Sequence, residues 1–178
     1  MINFPMTTAP SNTEPEWINV NYGGYNRCIL GNPSYGPGSV LANCTGFAWG
    51  RWYNILGSSP TLSINQRSIW YLNTRDGYAR GSVPKLGSIV CYDDGASGHV
   101  AVVEQLNYDN NGNLVSCLLS QSVYGGAFFE NKTIYARNNW HLYTGYTLQG
   151  FIYLPIDFET LEIYLMSRRK NTKILYRK

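Results

Sequence analysis

The chain has 178 residues, enough for one domain with a real core. Hydrophobic residues make up 44% of it, which excludes disorder of the chain as a whole, and a net charge of +3 is too mild to imply nucleic acid as a partner. Aromatic residues reach 15%, beside 18 Gly and 8 Pro, a composition of strands and shaped loops more than of a helical bundle.

Residues 1–17, MINFPMTTAPSNTEPEW, are polar and Pro-containing and read as an extended N-terminal arm. They lack a basic start followed by an apolar run, so no secretory signal is expected. The stretch NYGGYNRCILGNPSYGPGS reads as shaped loop. The clearest helix follows, with Asn43 as N-cap, CTGFAWGRWYNIL as body and Gly57 as C-terminal stop. Phe47, Ala48, Ile55 and Leu56 fit one buried face, and Gly46 and Gly50, one turn apart, predict close packing on a neighbouring element.

Residues 63–73 predict a weaker second helix. Three consecutive strands are expected at 87–92, 99–106 and 114–121, the last two joined by NYDNNGN, whose Asn-Gly pair supplies the positive φ that a tight turn needs. Later strands are expected near 133–137 and 149–154. Helices first and antiparallel strands afterwards make one α+β domain, at 18–156. The remainder, 157–178, is a basic C-terminal tail or linker with Arg168, Arg169, Lys170, Lys173, Arg177 and Lys178. It reads either as a solvated tail or as a contact to an acidic surface or assembly partner. No apolar run approaches the roughly 20 residues that span a bilayer, so membrane insertion is not expected.

Four cysteines are present, Cys28, Cys44, Cys91 and Cys117, with no C-x-x-C pair, which argues against zinc and thioredoxin-type sites. Cysteine attacks as thiolate, and a helix N-terminus or a neighbouring histidine stabilises that form. Only Cys44 follows an N-cap directly. Cys91 and Cys117 lie in apolar strand segments as buried filler, and Cys28 lies in the loop-rich part.

The two histidines are His99 and His141. His99 opens an apolar strand directly after Ser97 and Gly98, where a side chain at the end of a sheet can project into a cleft; from the residues alone a structural role fits as well as a catalytic one. His141 lies in a polar, aromatic loop and reads as a surface residue. A catalytic base needs a group to orient its second ring nitrogen. Glu104, five residues on, falls on the opposite face of the strand. Pairing across the NYDNNGN hairpin brings the end of the following strand, at Gln121 and Ser122, back beside His99.

The run VLANCTGFAWGRWYNILG, then DGYARGSVPKLGSIVCYDDGASGHVAVVEQL, and finally QGFIYLP resemble the CHAP family, the cysteine, histidine-dependent amidohydrolases/peptidases, and within it the modules of phage lysins from Gram-positive hosts. The resemblance covers residues 18–155. It implies a papain-like α+β fold, N-terminal helices packed on an antiparallel, strongly curved β-sheet, with Cys44 as nucleophile and His99 as base. Such families place an acidic residue near the end of the next strand, in a pattern like S-E-S-N. Here Ser120-Gln121-Ser122-Val123 stands instead, so the resemblance assigns the orienting role to Gln121, a neutral amide that can still accept the imidazole N–H. Asn43, Trp52, Tyr92, Ser120 and Tyr124 are the substrate-groove candidates. The segment before Cys44, CILGNPSYGPGSVLANC, has no Asp or Glu, so the calcium loop of some family members is not expected, nor is any other metal or cofactor.

The function so implied is a peptidoglycan hydrolase that cleaves an amide bond of bacterial cell wall, either an N-acetylmuramoyl-L-alanine amidase or a stem or cross-bridge endopeptidase. In a phage setting it would be made in the host cytoplasm and act at the wall, released at lysis or carried in the virion with the tail as a contact to virion protein. The alternative is a non-catalytic wall-binding or virion structural module that keeps the CHAP fold.

Overall fold

The computed structural model describes residues 4–10, 19–22, 25–28, 42–62, 71–72, 74–123 and 128–156. The predicted C-terminal tail, the segment preceding the helix and most of the predicted second helix lie outside them. Within 63–73 only Tyr71 and Leu72 are described, in a turn, and a single 3-10 turn at Thr74–Asp76 follows.

Strands β1 (Asn19–Tyr22) and β2 (Tyr25–Cys28) pair antiparallel as a separate hairpin. This corrects the reading of that stretch as loop alone. Two short runs carrying Val and Tyr flank a Gly-Gly pair, which is hairpin chemistry.

Helix α1 spans Cys44–Leu56. The Asn43 side chain accepts a hydrogen bond from the Gly46 N–H at 3.0 Å, and Gly57 ends the helix in the left-handed region at φ 71°. Its inner face buries Phe47, Ala48, Trp52 and Ile55.

The remaining strands are β3 (Arg80–Gly81), β4 (Ile89–Asp93), β5 (His99–Tyr108), β6 (Leu114–Ser122), β7 (Phe129–Tyr135) and β8 (Thr147–Ile152). They form one antiparallel six-stranded sheet in the order β3-β8-β4-β5-β6-β7. Together with α1 on one face, this is the expected α+β architecture. Strand β7 begins at Phe129, earlier than the sequence predicts, because it pairs along β6 from Ser122↔Phe129 to Ser116↔Tyr135.

Alternation along β5 divides the core. Val100 and Val102 join Cys44, Ala48, Trp52, Ile89, Cys91 and Ile152 beneath the helix. Ala101 and Val103 join Val90, Tyr92, Cys117, Leu119 and Phe151 on the other face, where Trp140, Tyr143 and Tyr146 from the β7–β8 connection cover them. At Gly150, φ is 141° and the Tyr71 ring lies 2.6 Å from where a Cβ would stand, so only glycine fits opposite Cys91.

Candidate active site

Cys44 is the first residue of α1, and the first turn of that helix contains no acidic residue. The positive end of the helix dipole is therefore left for the thiol to exploit. Asn43 fixes this end of the helix, accepting from Gly46 N and, at 2.9 Å, from Thr45 Oγ1. One residue earlier, the Ala42 carbonyl accepts a 2.5 Å hydrogen bond from Ser122 Oγ at the end of β6. That bond joins the start of the helix to the residue next to Gln121.

His99 is launched from the β4–β5 turn. Asp94 Oδ1 accepts from Ala96 N at 2.9 Å and from Gly98 N at 2.7 Å, and Gly98 takes a left-handed φ of 67°. The N–H of Gly98, more than any other donor, holds the Asp94 carboxyl below the usual carboxylate range, and Ala96 adds to it. His99 pairs with Tyr92 across the sheet, and its ring meets Tyr143 and Tyr146 edge-on.

His99 Nε2 lies 2.7 Å from Gln121 Oε1. The partners of Gln121 determine which way the amide points. Its Nε2 donates to Glu130 Oε2 at 2.7 Å and to the Tyr143 hydroxyl oxygen at 2.6 Å. Tyr143 in turn donates to Glu130 Oε2 at 2.7 Å. A carboxylate only accepts, so the amide nitrogen faces Glu130 and the amide oxygen faces His99. His99 must then donate from Nε2, which makes Nδ1 the basic nitrogen of the neutral ring.

Cys44 is 1% exposed and His99 7%, so both work in a partly desolvated setting. The other described cysteines differ in kind. Burial pushes the Cys91 thiol far up and the Cys117 thiol up to about 12, with no helix terminus to oppose it.

Residues 34–120 match the family model of the CHAP domain. Over that stretch the chain is similar to the CHAP family. The six-stranded sheet continues past residue 120, since β6 pairs with β7 and β4 with β8. A solved N-acetylmuramoyl-L-alanine amidase from Staphylococcus aureus is similar at 22% identity with a TM-score of 0.46, over 66% of this chain and 35% of that one. The chain thus spans about a third of the length of that relative.

The residues expected around the groove separate sharply. Trp52 and Tyr92 are fully buried, and this corrects their assignment to a groove. Trp52 Nε1 donates to the Gly87 carbonyl at 2.7 Å, and the Tyr92 hydroxyl donates to the Trp140 carbonyl at 2.6 Å. Both are large amphipathic rings whose polar atom finds a backbone acceptor, which lets the ring serve the core. Ser120 is also buried and donates to Glu104 Oε1 at 2.7 Å, on the helix side of the sheet. Asn43 is a buried cap, and Tyr124 lies outside the described residues.

Glu130, Tyr143 and Tyr146 were not among the residues picked from the sequence. Glu130 sits directly across from Gln121 in the β6–β7 ladder, in a part of β7 that begins before the strand expected from the sequence. The two tyrosines come from an irregular connection, where no periodicity announces a neighbour.

Proposed function

We propose that this chain is a peptidoglycan hydrolase that cuts an amide bond of bacterial cell wall, with Cys44 as nucleophile, His99 as general base and acid, and Gln121 as the group that orients His99. The observation that carries this reading is the 2.7 Å contact of His99 Nε2 with Gln121 Oε1, in a chain that matches the CHAP family model and whose Cys44 starts a capped helix.

The chemistry is acyl transfer. His99 Nδ1 takes the proton of the Cys44 thiol, and the thiolate attacks the amide carbonyl carbon. The oxyanion is met by the backbone N–H of Cys44 at the positive end of the helix. The C–N bond breaks as the imidazolium gives its proton to the leaving amine. Water, deprotonated by His99, then attacks the thioester, releasing the carboxylic acid and restoring the thiol.

The resemblance of the VLANC, PKLGSIV and GHVAVVE segments to phage-lysin modules supports a phage setting, at lysis or at entry, with the basic run from Arg168 to Lys178 as a contact to virion protein. Both an amidase at the glycan–stem junction and an endopeptidase in stem or bridge fit the same machinery.

The test is turbidity of purified Gram-positive walls with the wild-type protein and Cys44→Ala. Clearing by the wild type alone is expected. Equal clearing by both, or by neither, overturns the reading. Mass spectrometry of released fragments names the bond: an N-terminus freed at the stem residue linked to the muramic sugar means amidase, one freed further along the stem or in the bridge means endopeptidase.

A further inference from the structure

At position 121 this chain has an amide where the family resemblance leads one to expect a carboxylate. Oriented by Gln121 alone, the base would have its tautomer held but its positive charge, once protonated, unopposed. The structure places a carboxylate one residue further out. Glu130 accepts from the Gln121 amide nitrogen and from Tyr143, at 2.7 Å each, while the Gln121 oxygen accepts from His99.

We propose that Glu130 is a positioning residue for His99: it locks the Gln121 amide with its oxygen toward the imidazole, and through that amide opposes the charge of the imidazolium. This rests on the hydrolase reading given above.

Three features carry it. First, the chain His99–Gln121–Glu130 runs donor to acceptor without a break. An amide so held is polarised by the carboxylate, which strengthens its oxygen as an acceptor. Second, Tyr143 completes a closed ring of bonds. Its hydroxyl accepts from Gln121 and donates to Glu130, and it packs edge-on against the His99 ring. Without Glu130 the amide nitrogen and oxygen of Gln121 become interchangeable, and a flipped amide would face His99 Nε2 with a donor. Third, Glu130 is ionised when the enzyme works. Burial acts to raise its carboxyl, but hydrogen bonds from Tyr143 and Gln121 and the charges of Lys132 and His99 outweigh that, and the net shift is downward. Tyr143, pushed up to about 12 by burial and by Glu130, keeps its proton to donate.

Among the described residues, the titratable and charged groups on the elements around His99 include Glu130 and Lys132 of β7, Tyr143 and Tyr146, Tyr92 and Asp93 of β4, Asp94 of the following turn and Cys44 of α1, while Arg51 and Glu104 are paired with each other. Lys132 is turned onto the Tyr143 ring, 3.9 Å from its centroid. Asp94 is engaged by its own turn. Of the carboxylates among these, Glu130 is the one that reaches His99 through the Gln121 amide, and Tyr143 joins the same path.

The experiment compares wild type, Glu130→Gln and the exchange variant Gln121→Glu/Glu130→Gln. Rates on purified walls are followed against pH, and the His99 ring is followed by nitrogen-edited NMR. Glu130→Gln should lower the limiting rate about tenfold, one pKa unit's worth, with half-saturating wall concentration little changed. Its His99 pKa and, since neutral His99 is the base, the acid limb of its rate profile should both fall by about one unit, because the imidazolium has lost its counter-charge. The exchange variant returns a carboxylate to His99 and an amide to position 130, and should recover most of the rate and both pKa values. A Glu130→Gln enzyme with wild-type pH profile and His99 pKa overturns the proposal, as does an exchange variant no better than Glu130→Gln. In the wild-type spectrum alone, His99 carrying its neutral-state proton on Nδ1 also overturns it. The hydrolase reading fails differently: there, Cys44→Ala clears walls as the wild type does, or the wild type is inert, and the NMR comparison still decides the role of Glu130.

Discussion

Arg51 and Glu104 form a bidentate ion pair between the helix that starts at Cys44 and the strand that starts at His99. Arg51 Nε donates to Glu104 Oε1 at 2.9 Å and Nη2 to Oε2 at 2.8 Å, with both side chains almost wholly buried. Ser120 Oγ and the Met6 N–H also donate to the carboxylate, so its lone pairs are well used. The N-terminal arm takes part again through Phe4, whose ring lies 4.6 Å from the guanidinium. The pair thus sets how the helix of Cys44 sits on the strand of His99.

Removing one partner strands the other charge in the core. Arg51→Met should cost roughly 3–5 kcal/mol of stability, read from urea unfolding, and should lower wall hydrolysis at temperatures where the variant is still folded. A loss under about 1 kcal/mol would mean that Glu104 is neutralised or hydrated in the variant, and that the pair is not what seats the helix.

The cysteines should differ in reactivity by environment. Iodoacetamide at neutral pH should label Cys44 well before Cys91 or Cys117, as read by peptide mass spectrometry. Helix-start placement favours the Cys44 thiolate, whereas burial raises the other two thiols. Labelling of Cys91 or Cys117 at a comparable rate in the folded protein would contradict this picture.

Trp52 should behave as core, not as groove. Its ring meets Tyr78 edge-on with centroids 4.8 Å apart, and its N–H satisfies the Gly87 carbonyl. Trp52→Phe leaves that carbonyl unpaired and should cost roughly 1–3 kcal/mol, with wall affinity unchanged. A weakened affinity at unchanged stability would return Trp52 to the substrate groove.

Acid should loosen the His99 end of the sheet. The carboxyls of Asp94 and Glu130 both lie below their ordinary values in the folded protein. Their contribution to stability is therefore full above the unfolded values, about 3.9 and 4.3, and is lost as pH falls through the lower folded values. The midpoint of thermal unfolding should drop across that window, and Asp94→Asn should make the drop shallower. An acid limb unaltered by Asp94→Asn would show that the turn before His99 does not depend on the carboxylate.

Much of the site was legible because it rests on local rules. The Asn43 cap, the helix at Cys44–Leu56 and the Gly57 stop follow from side-chain chemistry within a few residues. The Asn-Gly hairpin defines how β5 and β6 pair, and so predicted Gln121 beside His99 before any coordinates. The odd spacing that set Glu104 on the other face of β5 was also decisive, and Glu104 is found with Arg51 on the helix side.

What the sequence by itself determined was therefore the α+β class, the helix that presents Cys44, and the strand pair that brings Gln121 to His99, because each depends on contacts of short range or on a period of two. Tertiary structure alone decided that Trp52 and Tyr92 are core and that Glu130 and Tyr143 stand behind Gln121. Those outcomes depend on which face of the sheet an irregular connection covers and on where β7 joins β6, and neither leaves a periodic trace in the sequence.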